Sequence, residues 1–126
     1  MNPILLLGAL LGLLSVVIGA SAEHLIQQRV DDEVWRWVMT AVRYHQVGAL
    51  VVTALGLALA AGARPARRLN LSAGFLAAGT VLFSFSIYAA AITGIEHLTY
   101  LTPLGGVTLM FGWLLLAWAA FGANAD

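Results

Sequence analysis

The sequence predicts an all-α integral membrane protein: four transmembrane helices in a bundle, joined by short loops, with a short interfacial helix leading into the second span. Three observations predict it. Of 126 residues, 61% are hydrophobic and 10% charged, against about 25% charged in an ordinary soluble domain. Four apolar runs are separated by polar stretches, and all but the second are close to the ~20 residues that carry a helix across ~30 Å of hydrocarbon. All three prolines, Pro3, Pro65 and Pro103, fall at the edges of those runs, where a missing backbone donor is tolerated. Four such spans use roughly 80 residues, so residues 1–126 read as a single transmembrane domain with no room for a soluble one.

Global balance narrows the function classes. Six arginines offset six acids and the net charge is zero, which argues against a nucleic-acid partner. There are no cysteines, which excludes disulfides, thiolate metal sites and cysteine nucleophiles.

The first run, Ile4–Ala22, gives a span over about residues 4–22. Ala20-Ser21-Ala22 has the small-x-small form of a signal-peptide cleavage site. No basic residue precedes the run, and it is longer than a usual signal core, so a retained helix is expected. Gly8, Gly12, Ser15 and Gly19 step by four, three and four. That spacing puts them on one helix face, where small residues let another helix approach closely in lipid.

Residues 23–43 are the most polar part of the chain. Asp31 or Asp32 suits a helix N-cap, and Trp35 and Trp37 suit the headgroup level. A short interfacial helix continuing into the second span is expected here. Counted from Val47, the second apolar run is only ~15 residues, or ~22 Å, short of the ~30 Å needed. The span is therefore placed at 38–61, which takes Arg43, Tyr44 and His45 to the membrane edge. Arg43 either snorkels outward or pairs inside the bundle. Gly62 stops the helix.

Residues 62–70 carry Arg64, Arg67 and Arg68, and the positive-inside rule makes this loop cytoplasmic. Arg29, Arg36 and Arg43 oppose it, spread over a longer segment rich in acids. Both termini are then cytoplasmic. The third span is expected at 71–93, with Asn70 as N-cap, Gly94 as stop, and Ala77, Val81, Ser84, Tyr88 and Ala91 on one face. The fourth, at 103–121, opens with Thr102 as N-cap and Pro103 at the first helical position. Gly105, Gly106 and Gly112, with Thr108 between, form its close-approach pattern.

Candidate chemistry is sparse. No nucleophile-elbow, zinc-protease or phosphate-cradling motif is present, and no acid lies within a span, so a carboxylate relay is not expected. The chain is read as not an enzyme, with no cofactor and no metal. His24, His45 and His97 are all expected at one end, with Glu23 and Glu96 beside two of them. Histidine with carboxylate suits zinc and paired histidines suit haem, but ordinary interfacial polarity accounts for them. Glu-His-Leu occurs at 23–25 and 96–98; the flanks differ, so it is read as coincidence.

The residues support three functional readings. The leading one is a non-enzymatic membrane protein acting by helix packing, in the bilayer, with itself or a larger membrane complex. The second is a small-solute or ligand-binding protein with its site at the outer ends of the spans, using His24, Arg43, Tyr44, Ser84, Ser86 and Tyr88. The third is an accessory redox subunit.

The strings GASAEHL (19–25), TAVRY (40–44), LFSFSIY (82–88), TG (93–94), TPLGG (102–106) and GW (112–113) resemble, in order and spacing, the YgdD-like family of small four-span membrane proteins. The resemblance covers nearly the whole chain, and TPLGG…GW is its most specific part. Gly19, Ala20 and His24 match the family's string at the end of span one, whereas Ala22 and Glu23 depart from it. Arg43 and Tyr44 match the start of span two; Gly48 stands where the family has a histidine, and His45 lies three residues earlier. The resemblance implies a four-helix bundle in the bacterial inner membrane and no particular activity.

Overall fold

The structure is a computed structural model that describes residues 1–123. Four helical spans are long and apolar enough to cross a membrane: Pro3–Leu25, Asp32–Ala60, Ala66–Thr93 and Glu96–Ala120. The first is α1 (Pro3–Leu25). Asn2 caps it by accepting from Leu5 N at 3.0 Å and ties it across the bundle by donating to Gly56 O at 2.8 Å.

A short 3₁₀ turn, Gln27–Arg29, leads to α2 (Asp32–Ala60). Asp31 is the N-cap; its carboxylate accepts from Val34 N at 2.9 Å. The expected interfacial segment is the first turns of α2 itself, running without a break into the span. At 1.5 Å per residue, 29 residues reach about 43 Å, well over the hydrocarbon thickness. The surplus resolves the apparent shortness of the second apolar run. Gly62 adopts φ 84° just past α2, the left-handed stop that glycine takes without strain.

The third span departs from expectation at its start. α3 (Ala66–Thr80) begins behind Pro65, and Asn70 lies inside it. Asn70 does not cap: its amide donates back to Ala66 O at 2.8 Å. Pro65, which cannot continue a preceding helix, sets the boundary five residues earlier than 71. α3 then widens into one π-helical turn, Val81–Phe85, before α4 (Ser86–Thr93). Gly94, at φ 73°, ends it.

The fourth span also starts earlier. A 3₁₀ turn, Glu96–Tyr100, feeds α5 (Leu101–Ala120). Thr102 is thus within the first turn, not its cap. Pro103 remains acceptable, because the first-turn backbone donors have no intrahelical partner.

The packing joins two pairs of helices. α1 lies along α2, and α5 along α3, while α2 and the third span form the centre; α1 and α5 share no extended contact. Small residues set the close approach. A Cβ on Gly8 would lie 2.6 Å from Thr53 N, and one on Gly56 would lie 2.6 Å from Leu5 N. In the other pair, Gly79 abuts Leu109, Gly112 abuts Leu76, and Gly105 presses against the backbone of Leu82 and Phe83. The last contact seats α5 directly on the widened turn.

Two apolar clusters form the core. One joins Leu11, Val52, Leu55, Leu76 and Leu109. The other joins Ala22, Val38, Val42, Ile87 and Tyr88. They lie towards opposite ends of the bundle. The basal end, here, carries residue 1, the α2–α3 connection and the end of α5; the apical end carries the other two connections.

Candidate functional site

Between the two clusters runs a polar layer. Ser15, His45, Thr80 and Ser84 are buried there, one or more from each of the three helical spans that meet at that depth. Their burial follows from helix period. Val38, Ala41, His45, Gly48, Val52 and Leu55 step by three and four along α2 and are all buried, so His45 sits on the inward stripe. It is fully buried and lies halfway along α2. That corrects its expected place at the membrane edge with the other histidines; the long α2 puts residue 45 at mid-depth.

The π turn supplies the partners. An extra residue in a helical turn rotates the next side chains by about 100°. Ser84, Ser86, Ile87 and Tyr88 are all buried as a result, while Val81, expected on the same face as Ser84 and Tyr88, is exposed. Tyr88 Oη and His45 Nδ1 are 3.0 Å apart. The imidazole meets the Phe85 ring edge-on, with centroids 5.2 Å apart. Nε2 has no hydrogen-bond partner. Ser84 Oγ donates to Ala41 O on α2 at 2.8 Å. Thr80 Oγ1 donates to Leu76 O at 2.7 Å and fills the space beside Gly48.

A second polar contact ties the third span to the fourth. Ser86 Oγ bonds Phe83 O at 2.9 Å and pairs with Thr102 Oγ1 at 2.6 Å. Further towards the basal end, Ser72 Oγ donates to Gly112 O at 2.8 Å. Thr102 and Gly112 thus serve as interhelical bonding points, and Gly105 as a close-approach point; Pro103 is exposed, and Gly106 meets only the Phe83 ring, 3.8 Å from where its Cβ would be.

The six residues expected to share an outer-end ligand site do not come together. Ser84, Ser86 and Tyr88 are buried in polar contacts between the helices. His24, Arg43 and Tyr44 are exposed. Arg43 therefore points away from the bundle, and Tyr44 rests its ring against Phe83, 4.8 Å between centroids. His97 is exposed beside Tyr100. Among the described residues no group of three or more histidines and acids is placed to hold a metal ion.

The stripe on α1 is spent inside the molecule. Gly8 meets Thr53, Gly12 faces Ala49, and Gly19 faces Val42 and Gln46; Ser15, buried with them, bonds Gly12 O at 2.7 Å. Arg68 is the residue whose role the sequence did not signal. Its guanidinium lies 3.9 Å over the Trp118 ring and donates to Trp118 O at 3.1 Å. It thereby gives a second donor to a last-turn carbonyl of α5 that also accepts from Phe121 N at 3.3 Å. An arginine fifty residues before a tryptophan carries no local mark of this.

Four apolar helices zipped by glycine and crossed by a buried polar layer define a polytopic membrane helix bundle. The chain belongs to the family described as a protein of unknown function (DUF423), whose model matches residues 18–106. It is 34% identical over 112 residues to the inner membrane protein YgdD of Escherichia coli (strain K12), covering 89% of this chain and 84% of that one. It is 35% identical over 123 residues to the membrane protein YwdK of Bacillus subtilis (95% and 97% covered). A Haemophilus influenzae membrane protein is 32% identical over 124 residues, with 98% of each chain covered. No solved structure matches.

Proposed function

We propose that this protein is a non-enzymatic component of the bacterial inner membrane, acting by lateral packing with copies of itself or within a larger membrane complex. One observation carries the reading. In the outer spans, Pro3–Leu25 and Glu96–Ala120, only 17% and 22% of the residues in the 18-residue apolar stretch are buried, against 39% and 44% in the two central spans. Because α1 and α5 flank the centre without closing on each other, two broad apolar faces lie in the membrane plane. The glycines that could have marked a partner face are used internally, so lateral contact would run through larger side chains such as Leu10, Leu14, Met110 and Leu114, all exposed. Crosslinking in native membranes, with native mass spectrometry in mild detergent, tests it. A strict monomer with nothing co-purifying overturns it.

We read both termini as cytoplasmic, on the strength of Arg64, Arg67 and Arg68 at the basal end. A C-terminal reporter active only outside the cytoplasm reverses that orientation.

One feature favours a second reading, a ligand-binding role. A groove of about 340 Å³ between α1 and α4 is lined by Val17, Ile18, Ala22, Arg29, Tyr88 and Ile92. Of the six residues expected at a ligand site, only Tyr88 reaches it. Purification from membranes with an apolar small molecule bound in proportion to protein, lost in Tyr88→Phe or Ile92→Trp, supports this role; an empty groove rules it out.

A further inference from the structure

We infer that the basal end of the α3–α5 pair binds one anionic phospholipid, its phosphate on Arg67 and Arg64 and one acyl chain in the groove below. The charge distribution argues for the headgroup. Among the described residues, every carboxylate side chain lies towards the apical end: Glu23, Asp31, Asp32, Glu33 and Glu96. The basal end carries Arg64, Arg67 and Arg68 and no described acid; Asp126 lies outside the described residues. Arg68 is committed to Trp118. Arg64 and Arg67 are exposed. A cationic rim of this kind attracts anionic headgroups, and basic pockets between membrane helices hold them.

The groove argues for the chain. Arg67 and Asn70 stand at its mouth, and Leu71, Gly74, Phe75, Ala78 and Thr108 line a volume of about 450 Å³. Arg67, Leu71, Gly74 and Ala78 fall at i, i+4, i+7 and i+11, a single helix face. From Arg67 to Ala78 the helix rises about 16 Å, roughly half the ~30 Å hydrocarbon core. The groove is therefore one leaflet deep, the reach of one acyl chain. Its floor is open: nothing lies within 4 Å of a Cβ built on Gly74, whereas Gly79, on the same helix, is pressed to 2.7 Å by Leu109 N. Thr108 bonds back to Leu104 O at 2.8 Å, so its hydroxyl is occupied and that wall is effectively apolar. An interior helical glycine is less favourable than alanine, and at Gly74 no close helix contact offsets that.

The test is native mass spectrometry of the full chain in mixed micelles holding equal amounts of phosphatidylglycerol and phosphatidylcholine of matched chains. Wild type is expected to retain one phosphatidylglycerol in preference. Arg67→Gln is expected to cut that preference about fivefold, and Arg64→Gln by a smaller factor, the scale of one arginine at an anionic surface. Gly74→Leu, which fills the groove and keeps both charges, is expected to weaken retention as well. Arg36→Gln, at the apical end, is expected to leave it unchanged. Equal retention of the two lipids overturns the inference. So does an equal loss in Arg36→Gln and Arg67→Gln, or full displacement of the lipid by inorganic phosphate, which has no chain to seat. Retention lowered in Arg67→Gln and in Gly74→Leu, with both variants as monodisperse as wild type, supports it.

Discussion

The interface between α1 and α2 and the interface between α2 and the third span are built on opposite principles. The first is held by backbone proximity. Gly8 receives Thr53, and Gly56 receives Leu5, each at a distance no side chain could share. The second is held by polar atoms: Tyr88 on His45, Ser84 on the Ala41 carbonyl. In lipid there is no hydrophobic gain from bringing apolar helices together, so association rests on dispersion and on hydrogen bonds. The difference teaches that glycine proximity dominates the α1–α2 seam and side-chain hydrogen bonds mark the contact between the pairs. The third span and α5 combine both, through Gly79, Gly105 and Gly112 and through Ser72 and Ser86. Dispersion needs a long uninterrupted seam, which the neighbouring helices α1 and α2 provide. Hydrogen bonds need only points, which suits the shorter contact across the centre.

Substitutions can break that contrast, and they rank by mechanism. Gly8→Leu or Gly56→Leu drives a side chain into backbone that cannot yield, and the expected loss is about 3 kcal/mol or more. Denaturant titration in detergent micelles measures it; a loss below about 1 kcal/mol would mean the seam is looser than its geometry. His45→Ala comes next. It removes a fully buried ring and leaves the Tyr88 hydroxyl without its partner, for an expected loss of about 2–3 kcal/mol. If His45→Ala is neutral in the same titration, the polar layer does not hold the two pairs together.

Ser84→Ala is expected to cost much less, about 0.6 kcal/mol, the average for one hydrogen bond between membrane helices. Unfolding rates at a single denaturant concentration resolve a difference of that size. At the bottom of the series is Gly12→Ala. Its new methyl would lie 3.9 Å from Ala49 Cβ, an ordinary contact, and alanine is the better helix former by about 1 kcal/mol. A small gain in stability is expected. A large loss would show that Gly12, like Gly8, is a point of backbone contact. Two glycines four residues apart on one face are thus expected to respond with opposite sign.

Much of this was legible in the residues themselves. Four apolar runs, a cap at Asp31 or Asp32 and the glycine stops at 62 and 94 all follow from local chemistry, and the structure has them, with Asp31 as the cap. The stripe of Gly8, Gly12, Ser15 and Gly19 was legible as a packing face, though not which helix it meets. The site was less legible. Residue type and span position single out Ser84, Ser86 and Tyr88 as buried polar candidates, but depth alone groups His24, Arg43 and Tyr44 with them. Helix period separates them: Arg43 and Tyr44 are adjacent to His45 in sequence and turn to another face. The inward stripe of α2, at 38, 41, 45, 48, 52 and 55, was a usable signal for His45. Its polar start conceals it: a span beginning at residue 38 puts His45 near the membrane edge, whereas the full helix from Asp32 puts it halfway along. Asn70 and Thr102 were assigned as caps on residue type, and both helices had already begun upstream of them.

By itself the sequence determined the class of protein, the number of spans, most of the helix stops and the family. Those depend on composition, on period and on short-range backbone chemistry, all of which act within a few residues. Only the tertiary structure decided that His45 meets Tyr88, that Arg68 closes the end of α5, and that the glycines are used within the chain. It also decided the π turn at Val81–Phe85, where Gly105 on α5 admits the widened backbone. Each of these joins residues from separate spans. Their energies come from contacts that exist only once the helices are side by side, and no local pattern in the chain records them.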